Sequence, residues 1–212
     1  MGDLAHTVYL ISIWAVPVLI AITFHEAAHG WAAWKLGDPT AKLLGRVTFN
    51  PIKHVDPVGT LMIPGMLLVM GSPFLFGYAK PVPVAFWRLG SPRRDMVLVA
   101  AAGPGINILL ACASALLINI LPVIPGDTQT WFAAVLEKSI LINLILATFN
   151  MLPIPPLDGS AVIEFMLPRA GLQWWYRIRP YTIILLVAVM LLARDWFQPL
   201  FDWAIDLWTA QQ

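Results

Sequence analysis

Apolar residues run along this chain in blocks of about twenty, and the polar positions gather between the blocks instead of alternating within them. At about 1.5 Å of rise per residue, some 20 residues cross the roughly 30 Å of hydrocarbon in a bilayer, so each block predicts a spanning helix. Val8 to Leu36, Met96 to Leu121 and Phe132 to Leu152 qualify. A fourth block lies between Trp174-Trp175-Tyr176 and Trp196-Phe197, aromatic clusters placed like two interfacial belts. The first block stops at Gly37-Asp38-Pro39, and the second carries Gly103-Pro104-Gly105, an interruption tolerated where neighbours satisfy the freed backbone groups. Val58 to Phe76 is punctuated by Pro64, Gly65, Gly71, Ser72 and Pro73 and predicts a re-entrant or membrane-embedded hairpin. After Pro199, Leu200, Phe201, Ala204, Leu207 and Trp208 oppose Asp202 and Asp206, the pattern of an amphipathic helix on a membrane surface. Ala41 to Phe49 and Tyr78 to Phe86 read as short extended segments, a β-hairpin region. The expectation is an all-α polytopic membrane protein with about four spanning helices. It forms one domain over residues 1–212, with a core over about 8–167 and a C-terminal helix and amphipathic segment over about 174–210.

Composition agrees. Of 212 residues, 59% are hydrophobic and 12% charged, outside the usual range for soluble domains. A net charge of +1 without a basic stripe excludes nucleic acid as the partner. A single cysteine, Cys112, rules out an internal disulfide and a thiolate metal cluster, and reads as a small core residue. The N-terminus lacks the basic region and cleavage site of a signal peptide, so the first block is expected to remain. Lys35, Lys42, Arg46, Lys53, Lys80, Arg88, Arg93 and Arg94 fall between the first two confident blocks, which makes that stretch cytoplasmic and the N-terminus external. Arg169, Arg177 and Arg179 then also fall inside, in a multi-pass protein of the cell membrane.

Candidate chemistry sits at the end of the first block, in His25-Glu26-Ala27-Ala28-His29. Histidines four residues apart share one helix face and reach one ion, while the glutamate can take a proton from a water that the ion activates, the HExxH signature of zinc hydrolases. Ionisable side chains within an apolar span cost about 2.5 to 3.5 kcal/mol each if unpaired, so three together mark function. A catalytic zinc takes three protein ligands and an open position. Asp158 stands out as the third, in Asn150-Met151-Leu152-Pro153-Ile154-Pro155-Pro156-Leu157-Asp158-Gly159, where prolines end a membrane helix; its alternative role is to N-cap Ser160 to Leu167. If both segments serve one site, an even number of crossings must separate them, which is why Val58 to Phe76 is expected not to cross fully.

Taken in order, HEAAH, GRVTFNPIKHVDPVGT, AGPGIN and NMLPIPPLDG resemble the site-2 protease family of intramembrane zinc metalloproteases, over roughly Phe24 to Gly159. The resemblance implies one Zn2+ per chain on His25, His29 and Asp158, Glu26 as general base, and Asn150 holding the substrate backbone or steadying the oxyanion. It implies cleavage of a transmembrane helix of another protein, at a site opening to the cytoplasm. The chain lacks the PDZ stretch of larger members, which leaves room for a regulatory partner or a homo-oligomer. His54 is expected to contact substrate, to bond a metal ligand, or to plug the zinc in a resting state, and Asn50, Lys80 and Pro81 to contact substrate or support the ligands. Gly103 and Asn107 read as packing residues, small for close helix approach and able to bond across helices. The competing reading is a catalytically silent scaffold of the same fold that binds membrane helices, against which the intact Glu26 argues.

Overall fold

The computed structural model describes residues 2–63, 65–66, 77–123 and 126–182. Its helices are α1 (Gly2–Lys35), α2 (Thr40–Leu43), α3 (Pro92–Ile118), α4 (Asp127–Asn150), α5 (Ser160–Met166) and α6 (Arg169–Ile178), joined by short turns such as Pro51–His54 and Pro57–Met62. Three stretches, Leu4–Lys35, Pro92–Ile118 and Thr128–Asn150, are helices long and apolar enough to cross a membrane. They match the first, second and third apolar blocks to within a few residues at most ends. The Gly103-Pro104-Gly105 stretch does not break α3, which continues through Pro104. The remainder of the fourth block beyond Thr182, the amphipathic segment after Pro199 and most of Val58 to Phe76 lie outside the described residues.

α1, α3 and α4 pack against one another. The seam is lined by small side chains, with Ala21, Ala27 and Ala33 of α1, Ala100, Gly103 and Ala111 of α3 and Ala147 of α4 all buried. Large apolar residues such as Ile11, Leu19, Leu109, Leu116 and Leu144 are exposed instead. That order suits a solvent of lipid tails, where burying leucine gains little and close backbone approach gains dispersion and interhelical hydrogen bonds. Cys112 corrects one expectation: it is exposed, because Ala111 takes the inward position and the next residue on a helix points about 100° away.

The β-hairpin region is also corrected, since no strand occurs among the described residues. Within Ala41 to Phe49, Gly45 follows the cap of α2, and its φ of 66° turns the chain so that Arg46 N–H donates to Ala41 C=O at 2.9 Å. The segment from Tyr78 to Ala85 is irregular and builds no ladder. Pro81 and Pro83 carry no N–H, and the donors beside and between them are taken elsewhere: Lys80 N–H by His54 C=O at 2.9 Å and Val82 N–H by Glu26 Oε2 at 2.9 Å. Asp38 ties this linker to the end of α1. Its carboxylate, 0% exposed, accepts from Ala85 N–H at 2.6 Å and from the hydroxyl and N–H of Thr40. Burial alone would raise its pKa, but those hydrogen bonds and Arg88 hold it below the ordinary 3.8.

Candidate metal centre

Two elements bring the donors together. In α1, His25 and His29 stand one turn apart, 7% and 9% exposed, with their Nε2 atoms 3.0 Å from each other. Asp158 comes from the loop after α4, which folds back so that Gly159 N–H donates to Asn150 C=O at 2.7 Å. A Cβ at Gly159 would collide with the carbonyl of Met151 and lie 2.6 Å from that of Leu152, so only glycine permits this turn. The carboxylate does not cap α5, whose N-cap is Gly159 without a side-chain bond. Asp158 Oδ2 instead lies 3.3 Å from His25 Nε2 and 3.4 Å from His29 Nε2, buried and without a hydrogen-bond donor.

The far nitrogens fix the chemistry of the near ones. His29 Nδ1 lies 2.8 Å from Val99 C=O, which can only accept, so a hydrogen is on Nδ1 and, in the neutral ring, the Nε2 lone pair faces Asp158. His25 Nδ1 lies 2.6 Å from Asn107 Oδ1 and is held the same way. With both rings neutral, two imidazole lone pairs and a carboxylate oxygen converge with no proton donor among them, an arrangement that calls for a cation. Tetrahedral zinc, with bonds of about 2.0 to 2.2 Å, sets its ligand atoms about 3.3 Å apart, and the separations here are 3.0, 3.3 and 3.4 Å. The donor set fits. Gly103 makes room for it from α3, because a Cβ there would overlap His29 Nε2 and sit 2.6 Å from His25 Cε1.

Around this cluster the other expected residues are placed unevenly. Glu26, half-buried beside His25, is oriented by Val82 N–H through Oε2. Asn150 donates its amide to Leu146 C=O at 3.0 Å and is turned back along its own helix. His54 is buried, but its Nε2 bonds Thr48 C=O at 3.0 Å and it is not part of the cluster. Asn50, Lys80 and Pro81 are exposed. Asn50 caps the Pro51–His54 turn, and Lys80 C=O accepts from the buried Arg46 at 2.6 Å. Sequence reasoning missed the hold of Val82 on Glu26, a backbone contact without a sequence signal. It also missed Asn143, a fully buried amide whose only signal was a polar residue in the middle of an apolar block.

The chain is 41% identical over 157 residues to the "Putative zinc metalloprotease YwhC" of Bacillus subtilis, covering 72% of this chain and 68% of that protein. It is 29% identical over 199 residues to the "Putative zinc metalloprotease Rip2" of Mycobacterium tuberculosis, covering 89% and 71%. A shorter match, 42% over 67 residues and 32% of each chain, is to MJ0611 of Methanocaldococcus jannaschii, which carries the same description. No family model and no solved structure matches. With the HExxH histidines of α1 meeting Asp158 and most of YwhC's length covered at this identity, the chain belongs to the site-2 protease-like family of zinc metalloproteases.

Proposed function

We propose that this protein is an intramembrane zinc metalloprotease that hydrolyses a peptide bond in or near a transmembrane segment of another membrane protein. The observation that carries the reading is the convergence of His25, His29 and Asp158 at the end of a helix apolar enough to lie in a bilayer. These three residues would hold one zinc ion per chain. When bound, zinc supplies the Lewis acidity that makes water nucleophilic near neutral pH. Glu26 accepts the proton of the attacking water and returns it to the leaving amine, with Val82 N–H keeping its carboxylate in one orientation. Asn150 rotates off Leu146 C=O to hold the substrate backbone or the developing oxyanion. A helical substrate hides its peptide bonds and has to unwind. Asn50, Lys80 and Pro81, exposed on the stretches leading to Phe49 and Val82, meet the opened chain, and His54 anchors that path through its carbonyl on Lys80 N–H. The lysines and arginines of the linker support a site whose mouth opens to the cytoplasmic face of the cell membrane.

The test is Glu26→Gln in proteoliposomes carrying a library of single-span reporter helices. The parent is expected to release fragments with new termini within the span. The variant is expected to keep its zinc and lose cleavage by about 10²-fold or more. Undiminished cleavage by the variant would remove Glu26 from the reaction, and no cleavage by a zinc-loaded parent over the whole library would favour a helix-binding scaffold.

A further inference from the structure

Behind His25 runs a line of buried polar groups that crosses all three long helices. Asn143 of α4 donates Nδ2–H to the carbonyl of Ser139 at 2.8 Å, one turn earlier in the same helix. A carbonyl can only accept, so Asn143 turns its Oδ1 the other way, towards α3, where it accepts Asn107 Nδ2–H at 2.7 Å. Asn107 Nδ2 also faces a second carbonyl, that of Ala21 in α1, at 3.3 Å. Its Oδ1 is therefore turned to His25, 2.6 Å from Nδ1, and an amide oxygen requires the hydrogen to be on that nitrogen. Ser139 Oγ accepts from Ser114 Oγ at 2.8 Å, which joins α4 to α3 a second time. Asn107 and Asn143 are both 0% exposed, so no solvent relieves a reversed amide. Flipping either one would set oxygen against oxygen in a medium of low dielectric.

We infer that Asn107 is a positioning residue for the metal ligand His25 and that Asn143 orients Asn107, so that two backbone carbonyls, of Ser139 and Ala21, dictate the tautomer of His25 through the pair. The relay keeps the Nε2 lone pair of His25 aimed at Asp158 before any ion arrives, where a free imidazole would spend part of its time in the other tautomer. This rests on the zinc reading above, since zinc is the ion whose affinity it sets. Neighbours that hydrogen-bond metal ligands typically govern affinity by about 10- to 100-fold.

The experiment is zinc affinity by chelator competition on the full chain in detergent, with folding checked by size-exclusion chromatography and thermal unfolding. It uses the parent, Asn107→Leu, Asn107→Asp and Asn143→Ala. Asn107→Leu keeps the branched shape and deletes the acceptor, and is expected to weaken zinc about 10- to 100-fold. Asn107→Asp keeps an acceptor for His25 Nδ1–H but turns its second oxygen onto Asn143 Oδ1 and Ala21 C=O, and is expected to weaken zinc less than Asn107→Leu does, a difference that a packing role would not give. Asn143→Ala touches no ligand and is expected to weaken zinc by a smaller factor, about 3- to 10-fold. If Asn107→Leu does not fold, Asn143→Ala decides: weakened zinc in the folded variant supports the relay, and parent affinity overturns it. Parent affinity in a folded Asn107→Leu, or equal losses in the leucine and aspartate variants, also overturns it while leaving the zinc site intact. A parent that binds no zinc refutes the zinc reading itself.

Discussion

Gly103 and Gly159 hold the donor set together by having no side chain. The first lets α3 pass against both imidazoles, and the second lets the Met151–Gly159 loop close tightly enough to deliver Asp158. Gly103→Ala is expected to push the histidines apart and reduce bound zinc to a small fraction of one per chain, measured by elemental analysis of folded protein. Asp38 governs stability and not chemistry. Burial raises its pKa, but Thr40, Ala85 N–H and Arg88 prevail and lower it, so the folded value lies below the unfolded one. Its contribution is then complete above about pH 4 and is lost as pH falls through the folded value. Asp38→Ala is expected to cost on the order of 3 kcal/mol at pH 7 and to flatten the acid side of the stability profile, read by thermal unfolding between pH 3 and pH 7. At this scale HEAAH was legible because helical periodicity alone sets two histidines on one face. Asp158 was only half legible, since its prolines signalled a break but not which way the carboxylate turns. Asn107 stood out as an amide in an apolar block, but its contact with His25 depends on how α1 and α3 are rotated against each other, and no local pattern encodes that.

Among the elements, the long helices followed directly from block length, whereas the linker did not. Alternating prolines at 81 and 83 resemble an edge strand in sequence, but they leave single donors at Lys80 and Val82 that fit two isolated acceptors better than a ladder. This strap joins the His54 turn to Glu26. Val82→Pro removes one N–H from a stretch already flanked by prolines. It is expected to leave zinc content unchanged and to lower cleavage by about tenfold, the scale of a base that has lost its orientation. Unchanged cleavage would make the strap a cover with no part in catalysis. Arg93 plays the corresponding structural part for α5, donating to the carbonyls of Glu164 and Phe165 at 2.7 and 2.8 Å and to that of Leu167. These are orphan acceptors of a helix C-terminus, which have no partner within the helix itself. Their satisfaction keeps the short helix after Asp158 docked against α3.

For the whole molecule, large apolar side chains outside and small or amide side chains inside invert the arrangement of a water-soluble bundle, and the polar groups form a continuous line from Ser114 to His25. Composition and block length made the membrane class legible. The positions beyond Thr182 and most of Val58 to Phe76 lie outside the described residues, so the fourth span and the re-entrant segment rest on the sequence pattern and on crossing parity. Parity makes its own prediction. In a Cys112→Ala background, a cysteine at Asp127 is expected to react with an impermeant thiol reagent from outside the cell, and one at Lys53 only after permeabilisation. The reverse pattern would invert the orientation, and labelling of both from one side would break the parity argument.

The central claim is that α1 and the loop after α4 jointly build a zinc site. Zinc content of the purified protein tests it without any substrate, beside Asp158→Ala and His54→Ala. About one zinc per chain in the parent and in His54→Ala, with clear loss in Asp158→Ala, is the predicted result. Full zinc in Asp158→Ala, or none in a parent supplied with metal and kept from chelators, would contradict it.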